Sequence, residues 1–138
     1  AQLTLSQRAT LAGAIIVSTP QDLALIDARK GLNMFRKVNV PLLGIVENMS
    51  HFLCTECGAR HDIFGNGGAK AEAAKLGVPF LGEVPLEMAI RATSDEGMPI
   101  VASQPDSPHA DHYRAIAMTV LDTLERNAPK SGPKIVVD

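Results

Sequence analysis

Three stretches of the chain are apolar almost without interruption: Ala14–Ser18, Leu42–Asn48 and Pro79–Val84. Short runs of this kind, rich in Val, Ile and Leu and free of polar alternation, are the pattern of strands buried on both faces of a parallel sheet. Between the first two the period changes. Leu25, Ala28, Leu32, Phe35 and Val38 recur at steps of three and four, while Asp27, Arg29, Lys30, Arg36 and Lys37 take the other faces, which predicts an amphipathic helix with one side on the sheet. Thr19-Pro20-Gln21-Asp22 predicts its start, with Thr19 as N-cap, Pro20 at the first helical position and an acid at the third. Strand, helix and strand then form one right-handed crossover.

The pattern continues with a helix over Ala69–Leu76 closed by Gly77, a turn and short helix over 85–91, a loop over 94–99, and a last long helix. Ser107-Pro108 opens that helix and Tyr113, Ile116, Val120 and Leu124 form its stripe, with His109 and His112 expected on the exposed first turn. Ala1–Arg8 is helix-compatible. The expected fold class is therefore α/β, a parallel sheet flanked by helices. Three strands fall short of the roughly five that such sheets usually hold, and the absence of an initiator Met hints at a fragment. An N-terminal half, or a partner chain, is expected to cover an open strand edge. Residues 1–126 are expected to form one domain portion and residues 127–138 a loose tail, in which Ile135-Val136-Val137 suits an edge strand.

Composition narrows the function classes. With 138 residues the chain is the size of one domain and can bury a core. Its formal net charge is −2, with lysines and arginines scattered, so nothing marks a nucleic-acid surface. No apolar run approaches the roughly 20 residues of a membrane span, and no charged-then-apolar leader opens the chain. The expectation is a cytoplasmic protein with no membrane partner.

Candidate chemistry concentrates in His51-Phe52-Leu53-Cys54-Thr55-Glu56-Cys57-Gly58-Ala59-Arg60-His61, which holds both cysteines and two of the four histidines. Two thiols separated by two residues grip one metal from the same side, and a glycine after the second lets backbone N–H groups turn toward the sulfurs. This is half a site. Structural zinc takes four ligands and a cubane iron–sulfur cluster is held by four thiolates. Either His51 and His61 complete a zinc site within one chain, or the cysteine pair of a second chain completes a shared site across a two-fold axis. A redox dithiol normally precedes a helix start, which Gly58-Ala59-Arg60-His61-Asp62 is not, and a disulfide closing so short a loop gains little.

Gly65-Asn66-Gly67-Gly68 leads into a helix, as phosphate-binding loops do, but the Lys-Ser/Thr pair that such loops need is replaced by Ala69-Lys70. A turn with close packing explains these glycines better.

Taken in order, Ser18-Thr19-Pro20-Gln21-Asp22-Leu23-Ala24-Leu25-Ile26-Asp27-Ala28-Arg29-Lys30-Gly31, Gly44-Ile45-Val46-Glu47-Asn48-Met49-Ser50, Cys54-x-x-Cys57-Gly58 and Ile63-Phe64-Gly65-x-Gly67-Gly68 closely resemble the Mrp/ApbC family. The resemblance runs from the first residue to about Leu124. These are P-loop ATPases of the MinD/ParA-like class that carry iron–sulfur clusters. It implies a homodimer holding a bridging four-iron, four-sulfur cluster between paired Cys54 and Cys57, passed to apoproteins in company with an assembly scaffold. It also implies ATP and Mg²⁺ in the intact protein, with Asn48 at the adenine edge and Pro85, Leu86 and Glu87 walling the base. The family's phosphate-binding loop and both switch segments precede the part represented here, so this chain alone is expected neither to bind ATP tightly nor to hydrolyse it. Two other readings compete: a zinc-stabilised interaction module, and a partitioning or membrane-targeting ATPase, which needs no knuckle and for which the last helix lacks a basic amphipathic face.

Overall fold

A computed structural model describes residues 1–127. Its elements are α1 (Gln2–Arg8), β1 (Ala14–Ser18), α2 (Asp22–Lys37), β2 (Leu42–Asn48), β3 (Phe52–Leu53), β4 (Arg60–His61), α3 (Gly68–Leu76), β5 (Phe80–Val84), α4 (Met88–Asp95), α5 (Ile100–Ser103) and α6 (Pro108–Asn127). The three apolar runs form a parallel sheet in the order β1-β2-β5, and β3 and β4 make a separate antiparallel pair. β2 is central, and Leu43 to Glu47 are buried without a break.

Helices lie on both faces of the sheet. On one, Leu25 and Leu32 of α2 and Ala69 and Ala73 of α3 pack on Ile16 and Ile45. On the other, Tyr113, Ile116 and Val120 of α6 pack on Val46, Leu81 and Val84. No described helix is long and apolar enough to cross a membrane.

Several expectations change. β1 is not buried on both faces: Ile15 is 39% and Val17 60% exposed. The reason is that α6 lies over β5 rather than β1, leaving a cavity of about 240 Å³ bounded by Ile15, Val17, Tyr113 and Ile116. Among the described residues β1 is also a sheet edge with no further strand beside it. The first crossover helix starts later than Thr19-Pro20 predicts. Gln21 is the N-cap, its carbonyl accepting from Leu25 N–H at 3.1 Å, while the Thr19 hydroxyl donates to the Gln21 side chain at 3.2 Å. Pro20 is buried ahead of the helix, its carbonyl packed against Gly68. α4 extends through Ser94-Asp95, and α5, which was not expected, buries Ile100. His109 and His112 are half-buried rather than exposed. Of the tail expected over 127–138, Asn127 is the last residue of α6, and the remainder, with Ile135–Val137, lies outside the described residues.

Candidate metal centre

The chain leaves β2 through a left-handed turn at Met49 (φ 53°), whose N–H donates to Asn48 Oδ1 at 3.0 Å. A non-glycine residue adopts that conformation only when its surroundings hold it there. They do. Ser50 N–H donates to the Val84 carbonyl at 3.1 Å, and Leu86 N–H donates to the His51 carbonyl at 2.7 Å. The segment is thus fastened to the end of β5 before the cysteines begin.

β3 and β4 then pair Phe52 with His61 and Leu53 with Arg60, bringing the Phe52 and His61 rings to 6.3 Å between centroids. The Cys54–Ala59 turn closes on two bonds, from Cys54 N–H to the Ala59 carbonyl at 2.9 Å and from Gly58 N–H to the Cys54 carbonyl at 2.8 Å. Gly58 takes φ 71°, a region open to glycine. Both thiols are free, with Cys54 half-buried and Cys57 exposed. The backbone N–H of Cys57, then that of Glu56, then the Cys57 side chain hold the Cys54 thiol below its ordinary range against a small opposing effect of burial. Thiolate is the form that ligates metal, and the N–H groups are turned toward the sulfur as the glycine after Cys57 suggests.

The histidines do not join them. His51 is 9% exposed, with Nδ1 3.0 Å from the Ser50 hydroxyl, and His61 is exposed on β4. Among the described residues no group of three or more His, Cys, Asp or Glu side chains is gathered where a metal ion would sit. The centre offered by this chain is two thiols on a hairpin tip.

The return path is held by a residue that sequence reasoning passed over. Glu47 is 1% exposed, and its Oε2 accepts from Ala69 N–H at 2.8 Å, at the start of α3. Its carboxylate fills the helix N-terminus, which attracts negative charge. The glycines ahead of it are a packed turn: Gly67 is left-handed (φ 67°), and a Cβ on Gly68 would stand 2.3 Å from the Pro20 carbonyl oxygen. The signal available in the sequence was a lone carboxylate inside an otherwise apolar run.

The base-facing candidates share the carboxyl edge of the sheet. Asn48 pairs with Val84, and Pro85, Leu86 and Glu87 follow directly. Pro85 is buried; Leu86 and Glu87 are half-buried and line a cavity with Phe52, whereas Asn48 lines the cavity beside Val17 and Tyr113. Since Asn48 Oδ1 accepts from Met49 N–H, the donor end of its side chain, the NH₂, is not used in that bond.

Residues 1–121 match the family model for ParA described as the NUBPL iron-transfer P-loop NTPase. The chain belongs to this family. It is 51% identical over 140 residues to the iron–sulfur cluster transfer protein NUBPL of Dictyostelium discoideum, an alignment covering 98% of this chain and 43% of that protein. A nucleotide-binding protein from Archaeoglobus fulgidus, solved in complex with ADP, superimposes with a TM-score of 0.61 at 36% identity, covering 80% of this chain and 41% of that one. The cell-division ATPase MinD of Pyrococcus furiosus gives 0.64 at 25% identity, covering 81% and 43%. This NUBPL-type chain therefore has the ParA/MinD sheet and spans about two fifths of the length of the relatives it matches. Its own sequence contains no Gly-x-x-x-x-Gly-Lys-Ser/Thr phosphate loop.

Proposed function

We propose that this chain is the cluster-holding part of an ATP-dependent iron–sulfur cluster carrier. Cys54 and Cys57 of two copies together hold one four-iron, four-sulfur cluster as cargo, and the homodimer takes it from an assembly scaffold and passes it to apoproteins. The observation that carries this reading is the hairpin tip, where two accessible thiols, one of them held toward thiolate, stand without a third ligand among the described residues. Four thiolates from two such tips satisfy a cubane cluster. Two free thiols suit a reducing compartment, for which we take the cytoplasm.

ATP with Mg²⁺ belongs to the intact protein in this reading. Asn48 would read the adenine edge through its side-chain NH₂, and Pro85, Leu86 and Glu87 would wall the base; both lie at the carboxyl ends of parallel strands, where ligands of open sheets collect. Nucleotide acts on the cargo only through a difference in affinity between two arrangements of the dimer.

The experiment is anaerobic reconstitution with ferrous iron and sulfide, followed by metal and sulfide analysis, an absorption spectrum and molar mass, on the wild type and on Cys54→Ala and Cys57→Ala. A brown dimer with about one four-iron cluster per two chains, absent from both variants, is expected. A stable colourless monomer that keeps zinc and refuses iron overturns the carrier reading in favour of a zinc-stabilised module.

A further inference from the structure

The cations of the chain are unevenly placed. α2 and α3 lie side by side on one face of the sheet and hold six of them, Arg29, Lys30, Arg36, Lys37, Lys70 and Lys75, against three acids, Asp22, Asp27 and Glu72. This pair of helices carries a surplus of three positive charges in a chain of formal net charge −2, so the rest of the chain carries a surplus of five negative ones. Two of the acids are already engaged: Glu72 is hydrogen-bonded to Arg29, and Asp27 meets Lys30 at 3.2 Å. Lys37, Lys70 and Lys75 are exposed and have no ion-pair partner among the described residues. Between the helices runs a groove of about 270 Å³ whose walls include Leu25, Ile26, Ala71, Arg29, Glu72 and Lys75. Apolar surface continues out of it along α2, where Ile26 is 45% and Leu23, one turn earlier, 77% exposed. The solvent face of a helix is ordinarily polar; large apolar side chains left in water beside a cationic rim are the form of a binding surface.

We propose that the groove between α2 and α3 docks an acidic amphipathic helix of a partner protein. Charge selects the sign of the occupant: the surplus on this face attracts an acidic surface while the rest of the chain repels it, which also orients the encounter. The apolar wall selects its class. A helix with one apolar stripe sets that stripe on Leu23, Ile26 and Ala71, and its flanking carboxylates reach Lys75. A nucleic-acid strand gains nothing from Leu23 and Ile26 and meets Asp22 in the groove wall; duplex binders also rest on about six to ten phosphate contacts, more than this surplus supplies. An anionic bilayer takes up a helix that offers a long apolar face, and the outer side of α2 offers two residues. Neither cysteine lines the groove, so the proposal does not depend on what the hairpin holds. Gly68 does line it, where the return path from the hairpin enters α3, so the occupant lies against the segment that positions the cysteines.

The test titrates the intact protein into a fluorescently labelled helical peptide of about 15 residues, with leucines at three- and four-residue steps flanked by glutamates, and reads anisotropy at about 0.01 M and about 0.15 M salt. A twin peptide with glutamine for every glutamate, a single-stranded oligodeoxynucleotide and phosphatidylserine vesicles are run beside it. The variants are Leu23→Asp, Ile26→Asp and Lys75→Glu, all at exposed positions that the fold tolerates, with Arg126→Glu at the far end of α6 as the matched change of charge elsewhere. The glutamate peptide is expected to bind about tenfold more tightly than its twin and to weaken as salt rises. Each groove variant is expected to weaken it about fivefold or more, and Arg126→Glu by less than about twofold. No saturable binding up to about 1 mM peptide, equal binding of the two peptides, or an equal loss in Arg126→Glu overturns the proposal. Tighter binding of the oligonucleotide or of the vesicles, lost in the same groove variants, assigns the face to nucleic acid or to lipid and overturns it as well.

Discussion

Replacing Glu47 should loosen the return path of the cysteine hairpin by an amount that can be worked from two residues. The carboxylate is 1% exposed and Ala69, whose N–H it accepts at 2.8 Å, is 0% exposed. In Glu47→Ala that N–H loses its partner where water does not easily reach, and a hydrogen bond to a charged group is worth about 1.5–3 kcal/mol. Glu47→Gln keeps an acceptor oxygen and loses only the charge at the helix N-terminus, about 1 kcal/mol. The expected order is wild type, Gln, Ala, with Ala about 2–3 kcal/mol below wild type and Gln about 1. Urea unfolding with an unchanged slope reads the stability directly. Cluster retention against a chelator, followed by absorption, reads whether the hairpin is displaced, and should fall in Ala and largely hold in Gln. Equal losses in Ala and Gln, or a loss under about 0.5 kcal/mol in Ala, would refute the idea that this one bond anchors the start of α3.

Three further outcomes are expected. The Arg29 side chain hydrogen-bonds Glu72 and holds its carboxyl below the ordinary range, although burial opposes this. The pair's stabilisation is therefore complete above the unfolded glutamate value of about 4.3 and is lost as pH falls through the lower folded value; Glu72→Gln should flatten stability against pH in that acidic window, and an unchanged slope counts against the pair. Gly68→Ala places a Cβ 2.3 Å from a backbone oxygen, whereas Gly67→Ala meets nothing within 4 Å and strains only its left-handed φ; denaturation midpoints should show a cost of about 1–3 kcal/mol for the first and about 1 for the second, and the reverse order would be wrong for this packing. The 138-residue chain, lacking a phosphate loop, should neither hold ATP tightly nor release phosphate from it, so turnover that survives repurification contradicts this account.

The strands were legible because an uninterrupted apolar run admits few alternatives, and the long helices because their stripes hold a constant period. What escaped depended on contacts distant in sequence. Ile15 and Val17 belong to a run that demands two covered faces, yet their exposure is decided by where α6 lies, some hundred residues on. α5 is one turn of helix between Pro99 and Gln104, too short to show a period. The Cys54/Cys57 pair was visible from spacing, but the inward turn of His51 onto Ser50 was not, since nothing local distinguishes a ligand histidine from a packed one. Glu47 stood in plain view inside β2; its purpose needed Ala69, 22 positions later.

The hairpin's own pairing is two residues per strand, far too little to stand alone in water. Its position is set by three bonds to the sheet: Ser50 to Val84, Leu86 to His51, and Ala69 to Glu47. Two of these end on the β5 terminus, one of them on Leu86 in the proposed base-facing turn. On the proposed carrier reading, a nucleotide bound there would reach the cysteines through these two backbone bonds, each worth about 1 kcal/mol net. Coupling through those two is on the order of 2 kcal/mol, roughly thirtyfold in cluster affinity. That would loosen a cargo without ejecting one held by four thiolates, so in the proposed carrier the recipient's own ligands would complete the transfer.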